Sequence, residues 1–272
     1  MKPVNFSYEQ AISASQISTA LENTGLSIKL LAGGQSLGPM LNLRLVQPDL
    51  ILDISRIDEL KTISLSEDAL LVGACVSHAN LEDLNTRNKT EEILANIARG
   101  IAYRAVRTRG TIGGSLAHAD PSADWLTTFL ALDASLIIHN SQTISKVRLS
   151  QVIKGAFNMG LQRGDWIHSI QVPLVKDQDK WKYVKLTRKT GEFSHAMAAV
   201  LWRHHQNTAR IVIGATEKNP VIYHFEGSIE RSSIHRIEDD IAEQFRIQEI
   251  GDAADNRIRL VALRRALQAL SE

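Results

Sequence analysis

Two short segments that combine paired glycines with a serine constrain this chain more than any other feature. The first, Ala32-Gly-Gly-Gln-Ser36, follows the strand pattern Ile28-Lys-Leu-Leu-Ala32, and the second is Gly110-Thr-Ile-Gly-Gly-Ser115. Glycine has no Cβ and adopts torsions that other residues resist, so successive backbone N–H groups can converge on an anion. One such segment suits a phosphate and two suit a pyrophosphate, although a simple turn is the plainer alternative for the first. Residues 110–114 are expected to form a glycine-rich loop.

The familiar nucleotide motifs are absent. The sequence contains neither the Rossmann pattern G-x-G-x-x-G nor the P-loop pattern G-x-x-x-x-G-K-[ST]. A dinucleotide would therefore need a different scaffold, on which both glycine segments contribute to one site.

Hydrophobic periodicity divides the chain into two regions. Before a charged linker at Val172–Lys180, helix and strand patterns alternate. The first helix is predicted at 15–24, with Ser15 as its N-cap. Further helices are predicted near 77–85 and 90–102, and strands at 28–32, 50–54, 70–73, 136–138 and 166–172. After the linker, strands at 182–185, 196–202 and 209–213 precede helices at about 235–247 and 253–270. Strands followed by helices predict a small α+β domain.

Three residues have plain structural interpretations. Asp120 before Pro121 predicts an N-cap with proline at the first helical position, opening a helix that runs to about Leu132. Cys75 stands in an apolar run and is expected to be a buried, inert thiol. Asp124, considered without wider context, is as consistent with an exposed helix carboxylate as with a residue of a binding site.

Composition excludes several classes of protein. The 272 residues suit one large domain or two smaller ones, and 44% of them are hydrophobic, which is enough for a sizeable core. A net charge of +1 argues against nucleic-acid binding. The single cysteine cannot hold an iron–sulfur cluster, which takes about four protein ligands. Because no apolar run approaches the roughly 18–20 residues of a membrane span and no signal peptide is recognisable, a cytoplasmic protein is expected.

The glycine segments and their surroundings resemble a known family. Leu31-Ala-Gly-Gly-Gln-Ser-Leu37, Pro39-Met-Leu-Asn-Leu-Arg-Leu45 and Thr111-Ile-Gly-Gly-Ser-Leu-Ala-His-Ala-Asp-Pro-Ser-Ala-Asp124 are similar to signatures of the FAD-binding (medium) subunit of molybdenum hydroxylases. This is the carbon monoxide dehydrogenase and xanthine dehydrogenase family. Tyr183-Val-Lys-Leu-Thr-Arg-Lys-Thr-Gly-Glu-Phe193 resembles the start of that family's C-terminal domain. The resemblance covers essentially the whole chain.

The resemblance implies a fold and its domain boundaries. The expected class is α+β, with a FAD-binding domain of the vanillyl-alcohol oxidase and p-cresol methylhydroxylase type over residues 1–176. That domain would consist of two α+β subdomains, at about 1–55 and 56–176. A small C-terminal α+β domain of the carbon monoxide dehydrogenase flavoprotein type would occupy 177–272.

The resemblance also implies a set of cofactor-binding residues and no side chain acting as nucleophile or acid–base catalyst. Both glycine segments would wrap the FAD pyrophosphate and neighbouring groups. Asp124 would lie near the cofactor's polar chain, and Lys185 would lie near the flavin. Phe193 stands where relatives carry an aromatic residue, often tyrosine, that can cover the isoalloxazine ring. The full set is Ala32, Gly33, Gly34, Gln35, Ser36, Leu37, Thr111, Ile112, Gly113, Gly114, Ser115, His118, Asp120, Asp124, Leu161, Lys185 and Phe193.

Function follows from the same resemblance. The chain would be the FAD-carrying electron-transfer subunit of a heterotrimeric molybdenum hydroxylase, with molybdopterin on a large partner subunit and [2Fe–2S] clusters on a small one, the whole often doubled into a dimer of heterotrimers. A stand-alone flavin oxidase of the same superfamily and a flavin-less assembly module are the two alternatives. Neither the substrate nor the external electron acceptor follows from the sequence.

Overall fold

Three β-sheets follow one another along the chain in the computed structural model, which describes residues 2–271. The first sheet is parallel and the other two are antiparallel. Within the described residues, no helix combines the length and the apolar composition that crossing a bilayer requires.

The first sheet is small, with the strand order β1-β3-β2. Its elements are β1 (Ser7–Gln10), α1 (Ala14–Leu21), β2 (Ile28–Leu31), α2 (Leu37–Asn42) and β3 (Leu50–Asp53). All four residues of the central strand β3 are buried, whereas those of the edge strand β1 are exposed. Because the strands are parallel, their carboxyl ends meet at one edge of the sheet, and the first glycine segment leaves β2 there.

The second sheet has the order β4-β5-β8-β6-β7 and carries most of the helices. Its elements are β4 (Ile63–Leu65), β5 (Ala69–Gly73), α3 (His78–Glu82), α4 (Lys89–Arg99), α5 (Arg104–Arg107), α6 (Ile112–His118), α7 (Asp124–Ala131), β6 (Ser135–His139), β7 (Ile144–Arg148), α8 (Leu149–Val152) and β8 (Trp166–Pro173), with a 3₁₀ turn at Asp58–Lys61.

The third sheet is an antiparallel meander in the order β12-β11-β10-β9. Its elements are β9 (Lys180–Leu186), β10 (Ala196–Arg203), β11 (Thr208–Gly214), β12 (Val221–Glu226), α9 (Arg231–Ile247) and α10 (Ala253–Leu270), with a 3₁₀ turn at His204–Gln206.

Strand β10 shows how the third sheet joins the rest of the molecule. Ala199 and Leu201 belong to the main core, which also contains α7, while Ala198 and Val200 belong to a second core under α9 and α10. Successive side chains of a strand point to opposite faces, so β10 is apolar from Ala196 to Trp202 because both of its faces are covered. Helix α7 is buried along its whole length between the third sheet and the helices α4, α6 and α8.

Several expectations about local structure are confirmed. The last helix spans 253–270 as predicted, and the Asp252 side chain caps it by accepting from the N–H groups of Ala254 and Asp255. Cys75 is buried, its Sγ lies 3.7 Å from the Ile54 carbonyl oxygen, and burial raises the pKa of its thiol to about 12. The other predicted strands and helices lie within a few residues of their predicted places. The strands β1, β4, β7 and β12 and the short helices α2, α5 and α8 were missed.

Three local predictions are wrong. Helix α1 is capped by the hydroxyl of Ser13 instead of Ser15. Asp120 is not an N-cap: its carboxylate accepts from the Ser122 N–H in a tight turn, and α7 begins only at Asp124. Residues 112–114, expected in a loop, form the first turn of α6. At α1 and α6 a nearby hydroxyl caps the helix, whereas at α7 Ala123 occupies the N-cap position and no side chain caps it. Sequence pattern alone does not distinguish these arrangements.

Candidate functional site

The first glycine segment presents free backbone donors. Among residues 2–271, no group accepts a hydrogen bond from the backbone N–H groups of residues 33–36. The carbonyls of Gly34 and Ser36 are engaged, because they accept from the N–H groups of Gly38 and Met40 at the start of α2. Gly34 has φ +72°, a conformation that favours glycine. The result is a run of consecutive N–H groups available to an anion.

The two glycine segments touch each other. A Cβ at Gly33 would lie 2.1 Å from the Arg109 carbonyl oxygen and 2.9 Å from the Gly110 Cα. A Cβ at Gly114 would lie 4.0 Å from the Ala32 Cβ. Segments separated by almost eighty residues therefore form one surface, and at Gly33 the backbones approach too closely for any side chain.

The second glycine segment uses its N–H groups internally. Thr111 is the N-cap of α6, and its Oγ1 accepts from the Gly114 N–H at 3.1 Å. The N–H groups of Ile112 and Gly113 donate to the carbonyls of Val76 and Ala74 at 3.1 and 2.9 Å. A Cβ at Gly113 would lie 2.4 Å from the Ala74 Cβ. The expectation that this segment repeats the donor chemistry of the first is therefore wrong, because here glycine permits close packing of α6 on the end of β5.

A buried ion pair links α7 to the third sheet. The Lys185 ammonium donates to both Asp124 carboxylate oxygens at 2.9 Å and lies 3.4 Å from the Gly100 carbonyl oxygen. The Tyr183 hydroxyl donates to Asp124 Oδ1 at 2.8 Å. Asp124 is only 7% exposed, so its interpretation as an exposed helix carboxylate is wrong. Two residues predicted for the site, 61 positions apart, thus meet in the structure.

Sequence reasoning missed two residues of this region. Tyr183 stands two positions before Lys185 on β9, and residues at that spacing point to the same face of a strand. Burial, together with the negative charge of Asp124 and the hydrogen bond to it, raises the pKa of Tyr183 well above its usual value. The Tyr-x-Lys spacing was the signal that could have identified this residue.

His78 is the second missed residue. Its Nδ1 accepts a hydrogen bond from Trp125 Nε1–H at 3.1 Å, so the neutral ring carries its proton on Nε2. Burial, and secondarily the positive charge of Arg107, lowers the pKa of His78 to about 4. A Cβ at Gly110 would lie 2.8 Å from His78 Nε2, so the second glycine segment packs against a neutral imidazole.

The remaining predicted residues occupy different surroundings. His118, at the end of α6, packs its ring 5.1 Å from that of Phe157. Leu161 is partly buried against the main core. Phe193 is 70% exposed in the connection between β9 and β10, and this connection contacts the segment after α4 where Gly191 meets Ala102. Gln35 is exposed, whereas Ser36, Leu37 and Ser115 are partly buried.

Comparisons with known proteins agree on the family. Residues 4–175 match the FAD binding domain in molybdopterin dehydrogenase. The carbon monoxide dehydrogenase medium chain of Hydrogenophaga pseudoflava is 33% identical over 232 residues, covering 85% of this chain and 81% of the relative. The caffeine dehydrogenase subunit beta of Pseudomonas sp. (strain CBB1) is 30% identical over 228 residues, covering 82% and 77%.

Solved structures match over nearly the whole chain. One is the carbon monoxide dehydrogenase of Hydrogenophaga pseudoflava in a form that lacks the Mo-pyranopterin moiety of the molybdenum cofactor, with a TM-score of 0.88, 29% identity, and 99% and 98% of the two chains covered. This match confirms the predicted fold class. The chain therefore belongs to the FAD-binding subunits of the molybdenum-containing dehydrogenases and hydroxylases.

Proposed function

We propose that this chain holds FAD across its two glycine segments and passes electrons through it within a molybdenum hydroxylase. One observation carries the proposal: the consecutive free N–H groups of residues 33–36 lie where the two segments meet. Four uncompensated donors suit a pyrophosphate, because backbone N–H groups bind anions without requiring a cationic side chain. The residues present therefore fit the cofactor that the family implies.

The two segments would have different roles in binding the cofactor. The first would donate hydrogen bonds to phosphate oxygens. The second segment has its N–H groups already hydrogen-bonded, so it would support the first segment through the packing of Thr111 and Gly113. It would present Gly114 and the Ser115 hydroxyl to the cofactor. Asp120, Asp124, His118, Leu161, Lys185 and Phe193 are proposed to surround the rest of the cofactor.

Electron transfer is proposed from the chemistry that the chain itself can supply. When bound, FAD would supply redox chemistry that couples one-electron to two-electron transfer, and the residues of this chain would contribute binding, orientation and electrostatics. With one cysteine, the chain cannot ligate an iron–sulfur cluster. We therefore assign [2Fe–2S] clusters to a small partner subunit and molybdopterin to a large one, with a dimer of heterotrimers as the complete assembly.

The domain boundaries belong to the same proposal. A FAD-binding domain at 1–176, with subdomains at about 1–55 and 56–176, would correspond to the first two sheets with their helices. A C-terminal domain at 177–272 would correspond to the third sheet with α9 and α10. The flavin would then lie among elements of all three units, since the first segment, α7 and β9 each come from a different one.

A visible absorption spectrum of the protein purified under mild conditions from its native host tests the proposal. We expect flavin bands overlaid with iron–sulfur absorption on a preparation of three polypeptides. Flavin on a single polypeptide, especially flavin that stays attached after denaturation, would instead support a stand-alone oxidase. A folded, colourless chain that takes up no added FAD would support an assembly module and contradict the proposal.

A further inference from the structure

A buried cluster of three side chains lies between α7 and β9. Asp124, at the start of α7, accepts hydrogen bonds from Lys185 and Tyr183, which are neighbours on one face of β9. The side chains of Lys185 and Asp124 are 14% and 8% exposed. Such a pair is sensitive to its geometry, because burying two charges is unfavourable unless their remaining hydrogen-bonding positions are satisfied.

Tyr183 is the neutral member of this cluster. Its hydroxyl lies 2.8 Å from Asp124 Oδ1 and 2.9 Å from the Met197 sulfur. A carboxylate is a much stronger acceptor than a thioether, so the hydroxyl proton is directed to Asp124. The hydroxyl thereby restrains the carboxylate and compensates part of its negative charge.

The geometry points to Tyr183 as a positioning residue of the flavin site: its hydroxyl fixes the Asp124 carboxylate, which in turn fixes the Lys185 ammonium. This inference rests on the proposed function, because it is FAD that would sense the ammonium. Tyr183 itself need not touch the cofactor. Its effect is transmitted through two hydrogen-bonded contacts that link α7 to β9.

Charge arithmetic predicts opposite effects of two substitutions. Tyr183→Phe removes a hydrogen-bond donor from the carboxylate, so the surroundings of the cofactor become more negative and bound FAD becomes harder to reduce. Asp124→Asn leaves the Lys185 charge uncompensated, so bound FAD becomes easier to reduce. A residue that merely fills space would not shift the midpoint potential of the flavin in either direction.

Tyr223 provides a matched control. Its hydroxyl also donates to an aspartate, Asp240, but that contact joins β12 to α9 on the opposite side of the third sheet. Tyr223→Phe therefore removes the same kind of hydrogen bond from the same sheet without touching the Asp124 cluster. Any loss of stability common to both variants can be subtracted by this comparison.

The experiment uses the full chain, with whatever subunits co-purify, in its FAD-loaded and FAD-depleted forms. We expect Tyr183→Phe to lower the flavin midpoint potential. It should also raise the FAD dissociation constant about tenfold, because the Lys185 ammonium is then held less firmly for its contact with the cofactor. Asp124→Asn should raise the potential, and Tyr223→Phe should change neither quantity. A Tyr183→Phe protein with the potential and affinity of the wild type would overturn the inference.

A second readout does not depend on FAD. Acetic anhydride modification of Lys185 in the FAD-depleted chain, followed by mass spectrometry, reports how firmly the ammonium is held. We expect modification several-fold faster in Tyr183→Phe than in the wild type or in Tyr223→Phe, and equal rates would overturn the inference. A wild-type chain that takes up no FAD would contradict the proposed function, while the modification rates would still decide whether Tyr183 positions Lys185.

Discussion

The two glycine segments contain similar residues but use their backbones in opposite ways. In the first, the N–H groups of residues 33–36 are free and the glycines shape a surface for a ligand. In the second, the Thr111 hydroxyl and the carbonyls of Ala74 and Val76, just after β5, accept from the N–H groups of residues 112–114, and Gly113 permits tight packing. Similar composition therefore yields a binding surface in one case and a structural support in the other. Four predictions test this contrast.

The largest effect is expected for Gly33→Val in the first segment. The new side chain would overlap the Arg109 carbonyl and push the free N–H groups out of alignment, so we expect the FAD dissociation constant to rise about a hundred- to thousandfold, equivalent to about 3–4 kcal/mol. Fluorescence titration of the FAD-depleted protein measures this change. Gly38→Ala is the control, because no atom lies within 4 Å of a Cβ at that position. An unchanged affinity would show that the free N–H groups do not bind the cofactor.

Acidification should loosen the second segment through His78. The pKa of this histidine is lowered to about 4 by burial, so the neutral ring gives its full stabilisation above pH 6.5. As the pH falls from 6.5 towards 4, the unfolded chain binds a proton that the folded chain resists, and about 3 kcal/mol of unfolding free energy is lost. Urea denaturation of the FAD-depleted chain between pH 7 and pH 4 measures the loss. His78→Gln should reduce the pH dependence by about that amount, whereas His205→Gln, at an exposed position, should preserve it.

Gly113→Ala should affect stability more than cofactor binding. A methyl group placed 2.4 Å from the Ala74 Cβ forces α6 away from β5, and overpacking of this kind costs about 2 kcal/mol, or about 5 °C in Tm for a chain of this size. Thermal unfolding of the FAD-depleted protein measures the shift. If Gly113→Ala reduced FAD affinity as strongly as Gly33→Val while leaving Tm unchanged, the assignment of separate roles would be wrong.

The smallest effect is expected for Thr111→Val. The substitution removes the oxygen that accepts from the Gly114 N–H and should lower the unfolding free energy by about 1 kcal/mol, the usual contribution of an N-cap. Thr111→Ser retains the oxygen and should remain close to the wild type. Chemical denaturation of both variants makes the comparison. Equal stabilities of the valine and serine variants would mean that this cap does not hold the second segment.

Many helices and strands of the fold could be predicted from local sequence patterns. The long helix α10 was predicted at its observed bounds because apolar residues recur among arginines at helical spacing. Strand β7 was missed because its residues are exposed and partly buried in alternation, without a strong apolar run. The start of α7 was misplaced because Asp120 and Pro121 carry a helix-start signature that the chain uses for a turn instead.

The candidate site was only partly accessible from the sequence. Motifs identified the glycine segments, Asp124 and Lys185, since these lie in continuous stretches that resemble a family. Tyr183 and His78 were not identified, because their roles depend on contacts with residues 59 and 47 positions away. A single sequence contains no record of such pairs.

By itself, the sequence determined the α+β class, the resemblance that identifies the family, the two glycine segments and the single cysteine, which cannot hold an iron–sulfur cluster. These follow from residue type and spacing along the chain, which act locally. Only the tertiary structure decided which N–H groups are free, that Gly33 meets Arg109, and that Asp124 is buried against Lys185. The physical reason is that hydrogen-bond satisfaction and burial depend on which distant segments share a surface, and folding alone brings those segments together.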